Sequence, residues 1–150
     1  MIRNRWQGLY VVVAVAGLAL TEPAAGFQKG VKLRGIIDIK PGDEPTTIDP
    51  KSRGMLPVAL LSSRDVDATT IDAAGVRFGA TGQEATAVRS MREDVNRDGK
   101  VDVMFLFRMQ ETGIGCGHTS ASLTGTTTKG VAVEASEAFT TSGCSDNRKQ

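Results

Sequence analysis

From residue 31 to residue 141 the apolar positions fall in short runs, each closed by Gly, Pro, Asp, Asn or Thr, and none sustains a helical period. That is the pattern of strands joined by turns. VKLRGIIDIK (31–40) alternates loosely and stops at Pro41-Gly42, a turn marker. GMLPVALLS (54–62) reads as a second strand, and Pro57 places it at a sheet edge or a bulge, because proline donates nothing to a ladder. DVDATTIDAAG (65–75) has Asp and Thr at turn positions, with room for one helical turn. VRFGA (76–80), ATAVRSMRE (85–93), SASLTG (120–125), GVAVEA (130–135) and EAFTT (137–141) are further short strands. TGQE and TTTKG lie between them as turns.

VDVMFLFRM (101–109) carries the strongest strand signal. Val101, Val103, Phe105 and Phe107 fall on one face, Met104 and Leu106 on the other. A strand apolar on both faces predicts a central position, covered on each side. Many short strands at roughly even spacing predict an all-β fold, an antiparallel β-sandwich of about 7–9 strands.

The N-terminal stretch has another character. MIRNRWQGLYVVVAVAGLALTEPAAGF opens with Arg3 and Arg5, runs uncharged from Trp6 to Thr21 and ends in small residues, the layout of a secretory signal peptide. Its apolar centre, Leu9 to Leu20, has 12 residues, whereas a bilayer-spanning helix needs about 20. Cleavage before Phe27 makes residues 1–26 the signal and residues 27–150 a single module of ordinary domain size. The expected location is the periplasm or outside the cell, with no membrane attachment after cleavage.

Charge and aromatic content then exclude two partner classes. Of 18 basic and 17 acidic residues, the signal removes Arg3, Arg5 and Glu22, which leaves the module balanced. A nucleic-acid binder needs a basic stripe to meet the phosphates, so nucleic acid is set aside. The chain has 5 Phe, and its one Trp and one Tyr (Trp6, Tyr10) lie in the signal. A sugar-stacking platform of exposed Trp or Tyr therefore cannot be built from the module. Two cysteines, Cys116 and Cys144, predict one disulfide in an exported chain.

One stretch carries recognisable chemistry. In EDVNRDGKVD (93–102), Asp94, Asn96, Asp98 and Asp102 place side-chain oxygens at positions 1, 3, 5 and 9 of a loop whose position 6 is Gly99. Alternate oxygens converging on one point, a Gly that permits a sharp turn, and a backbone carbonyl from Lys100 at position 7 are what a calcium loop uses. A hard-oxygen set suits calcium better than zinc or copper. Position 12 is Phe105 where an EF-hand has a bidentate Glu, and the flanks are strand-like, so the loop is not an EF-hand. It resembles the D-x-[DN]-x-D-G-x-x-D loop joining strands in integrin-type propellers and the first half of a dockerin loop. The simpler reading is a hairpin turn at Asp98-Gly99 with solvated acids. Crowded carboxylates without a counter-ion repel one another, which favours a structural calcium ion.

A wider resemblance joins IDIKPGDEPTTIDPKSRGMLPVALLSS (37–63), VDATTIDAAGVRFG (66–79), EDVNRDGKVDVMFLF (93–107), ETGIGCGHTSASLTGTT (111–127) and the closing SGC. Together they are similar to a family of uncharacterised modules of secreted bacterial proteins, found alone or attached to larger surface and exported proteins. The resemblance implies an exported β-sandwich with a calcium-type loop. It implies no activity and no ligand.

Catalytic constellations are sparse. His118 is the single histidine and reads as an exposed loop residue rather than a ligand or base. No Ser sits in a G-x-S-x-G elbow, and GATGQ and GIGCG read as turns. Asp43-Glu44 and Asp65-Asp67 read as solvated turn residues. The expected function is thus a non-catalytic module stiffened by calcium, meeting a protein or surface polymer. The alternatives are a calcium-dependent carbohydrate-binding module and a small hydrolase or accessory domain of an enzyme system.

Overall fold

The computed structural model describes residues 30–145, so the expected signal segment lies outside the described residues. Strands dominate. They are β1 (Lys32–Arg34), β2 (Ile36–Ile39), β3 (Thr47–Ile48), β4 (Met55–Leu61), β5 (Arg77–Gly79), β6 (Ala85–Thr86), β7 (Arg89–Glu93), β8 (Asp102–Arg108), β9 (Ser120–Thr126), β10 (Ala132–Ala138) and β11 (Thr140–Thr141). They form a five-stranded sheet in the order β1-β10-β9-β5-β6, a four-stranded sheet in the order β2-β4-β8-β7, and the small pair β11-β3. Pairing is antiparallel, as expected for a sandwich, except for β1 with β10 and β11 with β3.

The two large sheets share one core. Ile37, Val58, Leu60, Phe105 and Phe107 face it from the four-stranded sheet, and Phe78, Leu123, Val133 and Ala135 from the five-stranded one. Phe78 and Phe107 join the layers with ring centroids 5.1 Å apart.

The strands outnumber the expected 7–9 because two runs that look continuous are each divided between sheets, and because Thr47–Ile48 adds the short β3, which no apolar run announces. VKLRGIIDIK breaks at Gly35, where the chain leaves the five-stranded sheet at β1 and enters the four-stranded sheet as β2. A Cβ at Gly35 would come within 3.0 Å of Leu60 Cδ1 and 3.4 Å of both Val133 and Ala135. Only glycine lets the backbone cross between the layers that closely. ATAVRSMRE likewise divides into β6 and β7.

Pro57 is a correction. It lies in β4, an interior strand flanked by β2 and β8, not at an edge. The reason is local: the Pro57 carbonyl accepts the last amide of the β2 side, from Lys40, at 2.8 Å. The carbonyl of Lys40, which would otherwise face the Pro57 nitrogen, is turned to accept from Asp43 N in the Pro41-Gly42 turn. The missing N–H therefore costs no ladder bond.

The 65–75 segment holds two 3-10 turns, Ala68–Thr70 and Ala73–Gly75, capped by the carboxylates of Asp67 and Asp72. β8 is interior, as its two apolar faces predict, with Phe105 and Phe107 fully buried. Val101, however, precedes the strand and is 48% exposed.

The candidate metal loop and its surroundings

Residues 94–101 close the hairpin between the edge strand β7 and the interior strand β8. Their own side chains organise the turn. Asp94 Oδ1 accepts from Asp98 N at 3.1 Å and Oδ2 from Gly99 N at 2.9 Å. Asn96 Oδ1 accepts from the same Asp98 amide at 3.1 Å, and Asp98 Oδ1 accepts from Lys100 N at 2.9 Å. Gly99 sits at φ +87° with open space where a Cβ would be, so conformation and not room selects glycine there. Arg97 also takes a positive φ, +60°. Two left-handed residues in close succession make the sharp turn that the sequence pattern predicts.

The five expected ligand residues separate into two groups. Asp94, Asn96, Asp98 and Lys100 are exposed, while Asp102 is completely buried. Asp102 Oδ1 accepts from Ser62 N at 2.7 Å and Oδ2 from Val95 N at 2.9 Å, tying the end of β4 and the start of the loop to the first residue of β8. Ser62 extends the clamp, donating its hydroxyl to Val101 O at 2.7 Å and accepting from Ala68 N at 2.9 Å. Nothing in the local pattern around Ser62 signals this, because its partners lie up to 40 residues away.

The exposed donors of the loop are all oxygens, the donor type that a hard cation takes. Each amide-bonded carboxylate oxygen keeps a second lone pair. Asp98 Oδ2 lies 3.9 Å from the Lys100 ammonium, while Oδ1 takes the Lys100 amide. Among the described residues, no three His, Cys, Asp or Glu side chains are gathered into a metal-binding cluster. An ion here would rest on the exposed oxygens of Asp94, Asn96 and Asp98 and a main-chain carbonyl, with Asp102 serving mainly to hold the frame.

The other chemistry-bearing residues are also placed. Cys116 and Cys144 form the expected disulfide, with Cα atoms 5.7 Å apart. His118 is exposed, and its Nδ1 accepts from Gly115 N at 2.9 Å inside a turn beside the disulfide. Asp43 holds Lys40 at 2.6 Å, which keeps its carboxyl below the usual range. A second carboxylate site was not anticipated. Glu137 reaches from β10 to accept the Ile39 amide at the free edge of β2 and the Thr46 hydroxyl at 3.2 Å. Burial pushes the Glu137 carboxyl above its ordinary value, the two hydrogen bonds pull it down, and Asp38 and Glu44 add further upward pressure. Burial and Glu44 raise Asp38 as well.

These raised carboxyls set a pH dependence. The folded chain holds protons on Asp38 and Glu137 that the unfolded chain has already released, so their contribution is fully present at acid pH and is lost as pH rises through the folded values. Glu137→Gln keeps an acceptor for Ile39 N and reverses the Thr46 bond, its NH₂ donating to the Thr46 hydroxyl, while removing the charge. It is expected to melt a few °C higher than the parent at about pH 7.5 and level with it at about pH 4, followed by circular dichroism. Equal shifts at both pH values would refute the charge argument.

The clefts that the fold leaves do not gather these groups. One of about 140 Å³ is lined by Lys40, Ile48, Asp49, Met55, Pro57 and Met109. A broader groove, about 850 Å³, runs along β1 beside Lys32, Arg34 and Glu134. Neither is lined by Asp38, Glu44 or Glu137. Among the described residues no helix is long and apolar enough to cross a membrane. Comparison with protein-family models, characterised proteins and solved structures returned no match.

Proposed function

We propose that this chain is a non-catalytic, exported β-sandwich module whose β7–β8 loop binds a structural calcium ion, and that it acts through protein contact or as a structural module at the cell surface or in the periplasm. One observation carries the reading. The carboxylates and amide of Asp94, Asn96 and Asp98 pull an exposed hairpin into a tight, oxygen-lined turn at the end of an interior strand. An ion at that point would offset the repulsion between the acids and stiffen the strand end. The disulfide adds support for export, since such bonds persist in oxidising compartments. The likeness to modules of secreted bacterial proteins rests on the sequence motifs alone and points the same way.

Thermal melts with excess calcium and with chelator test the proposal. At about 100 times the dissociation constant the ion adds about 2.7 kcal/mol, or about 10 °C in a domain of this size. Asp98→Ala removes Oδ2, which accepts no amide, together with the exposed Oδ1 bond to Lys100 N, so it is expected to abolish the shift while lowering the chelator-treated melt by only a few °C. No shift in the parent at millimolar calcium sinks the proposal.

A further inference from the structure

β10 and β11 follow each other as one nearly continuous strand, and its side away from β9 is paired in two separate pieces. β1 covers Ala132 to Glu134, and the last bond of that ladder runs from Gly35 N to Glu134 O at 2.9 Å. β3 covers Thr140 and Thr141, with Thr140 N donating to Thr46 O at 3.0 Å. Between these pieces the chain has left at Gly35 for the other sheet. Among the described residues no strand pairs with positions 136–138 on this side. The bonds to either side fix which way the main chain faces there. Glu134 and Thr140 use their main-chain groups on this side, whereas Phe139 N turns the other way, to Thr119 O beside β9 at 2.9 Å. Ser136 and Ala138, in step with 134 and 140, therefore aim N–H and C=O into the gap.

The gap is open to a partner. Ser136 and Ala138 are exposed, and the groove of about 850 Å³ along β1 reaches Gly35 and Ser136. Glu137, between them, has its carboxylate engaged with Ile39 N and the Thr46 hydroxyl. The edge of β7 differs, since Arg89, Arg92 and Glu93 stand exposed along it, charges of the kind that discourage strand pairing. Residues 136 and 138 are small and uncharged. At the β1 end of the gap, Lys32 is held by Glu134 at 2.6 Å. Arg34 is exposed and, among the described residues, is in no ion pair.

We infer that the gap at 136–138 is a strand-addition site for an extended segment of another protein, one that carries an acidic residue where it passes Arg34. Main-chain donors and acceptors repeating every 6.6 Å or so are matched by the main chain of another extended segment, at about the same repeat. Arg34 supplies the charge preference. The flanking pairings set the size: from Glu134 to Thr140 the strand advances about 20 Å, room for a paired stretch of about four residues. The inference rests on the protein-contact part of the proposed function and does not depend on an ion at 94–102.

The test uses the full chain, expressed with its N-terminal segment so that any processing takes place. Amide hydrogen exchange followed by NMR reads the edge first. Ser136 and Ala138 are expected to exchange at least about tenfold faster than Ala135 and Glu137, whose amides face β9. Equal protection overturns the inference, because the edge is then already taken by this chain or a second copy. A displayed library of random peptides, about twelve residues long, is then selected on the protein. Ser136→Pro and Ala138→Pro each remove one outward N–H and no bond to β9, so folding is retained and is verified by circular dichroism. Selected peptides are expected to carry acidic residues, to slow exchange at Ser136 and Ala138, and to bind either proline variant at least about tenfold more weakly. Arg34→Glu is expected to turn the selection toward basic peptides. Peptides that bind both proline variants as tightly as the parent overturn the inference and leave the protein-contact reading standing. A selection that enriches no peptide overturns it equally. The calcium melts read the loop separately, so either proposal can fail alone.

Discussion

Asp102→Ala is expected to destabilise the protein by about 3–4 kcal/mol, and to do so in chelator as much as in calcium. The carboxylate has no exposure and both of its oxygens accept main-chain amides, Ser62 N on one side and Val95 N on the other. Removing it leaves those amides without partners, detaches the end of β4 from the start of β8, and frees the loop that begins at Asp94. Each unsatisfied amide costs about 1–3 kcal/mol, and charge-assisted bonds lie at the upper end. Asp102→Asn keeps one acceptor and is expected to lose about half as much, because its NH₂ meets a second donor. Urea unfolding in chelator measures both. A midpoint for Asp102→Ala equal to that of the parent would show that the buried clamp contributes nothing. The contrast with Asp98→Ala matters: Asp102 holds the fold from a buried position without an ion, whereas Asp98 gives one exposed turn bond and is expected to act mainly through an ion.

Loss of the disulfide follows closely in size. Cys116 and Cys144 enclose a separation of 28 residues, and opening a loop of that length releases about 3–4 kcal/mol of chain entropy in the unfolded state. Cys116→Ser with Cys144→Ser is expected to lower the melting temperature by about 10–20 °C. The effect should also be local. β11 is held by a two-residue parallel pairing to β3, through Thr140 N to Thr46 O at 3.0 Å and Ser142 N to Ile48 O at 2.8 Å. So short a pair is marginal by itself. The variant is expected to be cut by protease after Phe139 well before the core yields, read by mass spectrometry of early fragments. Identical melting and cutting in both proteins would contradict this.

The same residues separate what is readable locally from what is not. Asp94, Asn96, Asp98 and Gly99 announce a tight acidic turn because turn chemistry lies within a few neighbouring residues, and the structure places the turn where the spacing does. The apolar runs announce strands for the same reason, down to the interior position of β8. Pro57 misled, since its effect depends on whether the neighbouring strand still needs a donor there, and β2 has already turned away at Lys40. Glu137 gave no signal, because its role arises from reaching Ile39 across 98 residues.

The sequence by itself determined an all-β chain, its main turns, one oxygen-rich loop and one cystine, since alternation, turn residues and cysteine count act over short distances or by mere presence. Only the tertiary structure decided that Gly35 carries the chain from one sheet to the other and that Asp102 is a buried clamp while its neighbours face water. Those outcomes depend on which strands become neighbours. Strand order is a property of the whole packed core, and no short stretch of the chain encodes it.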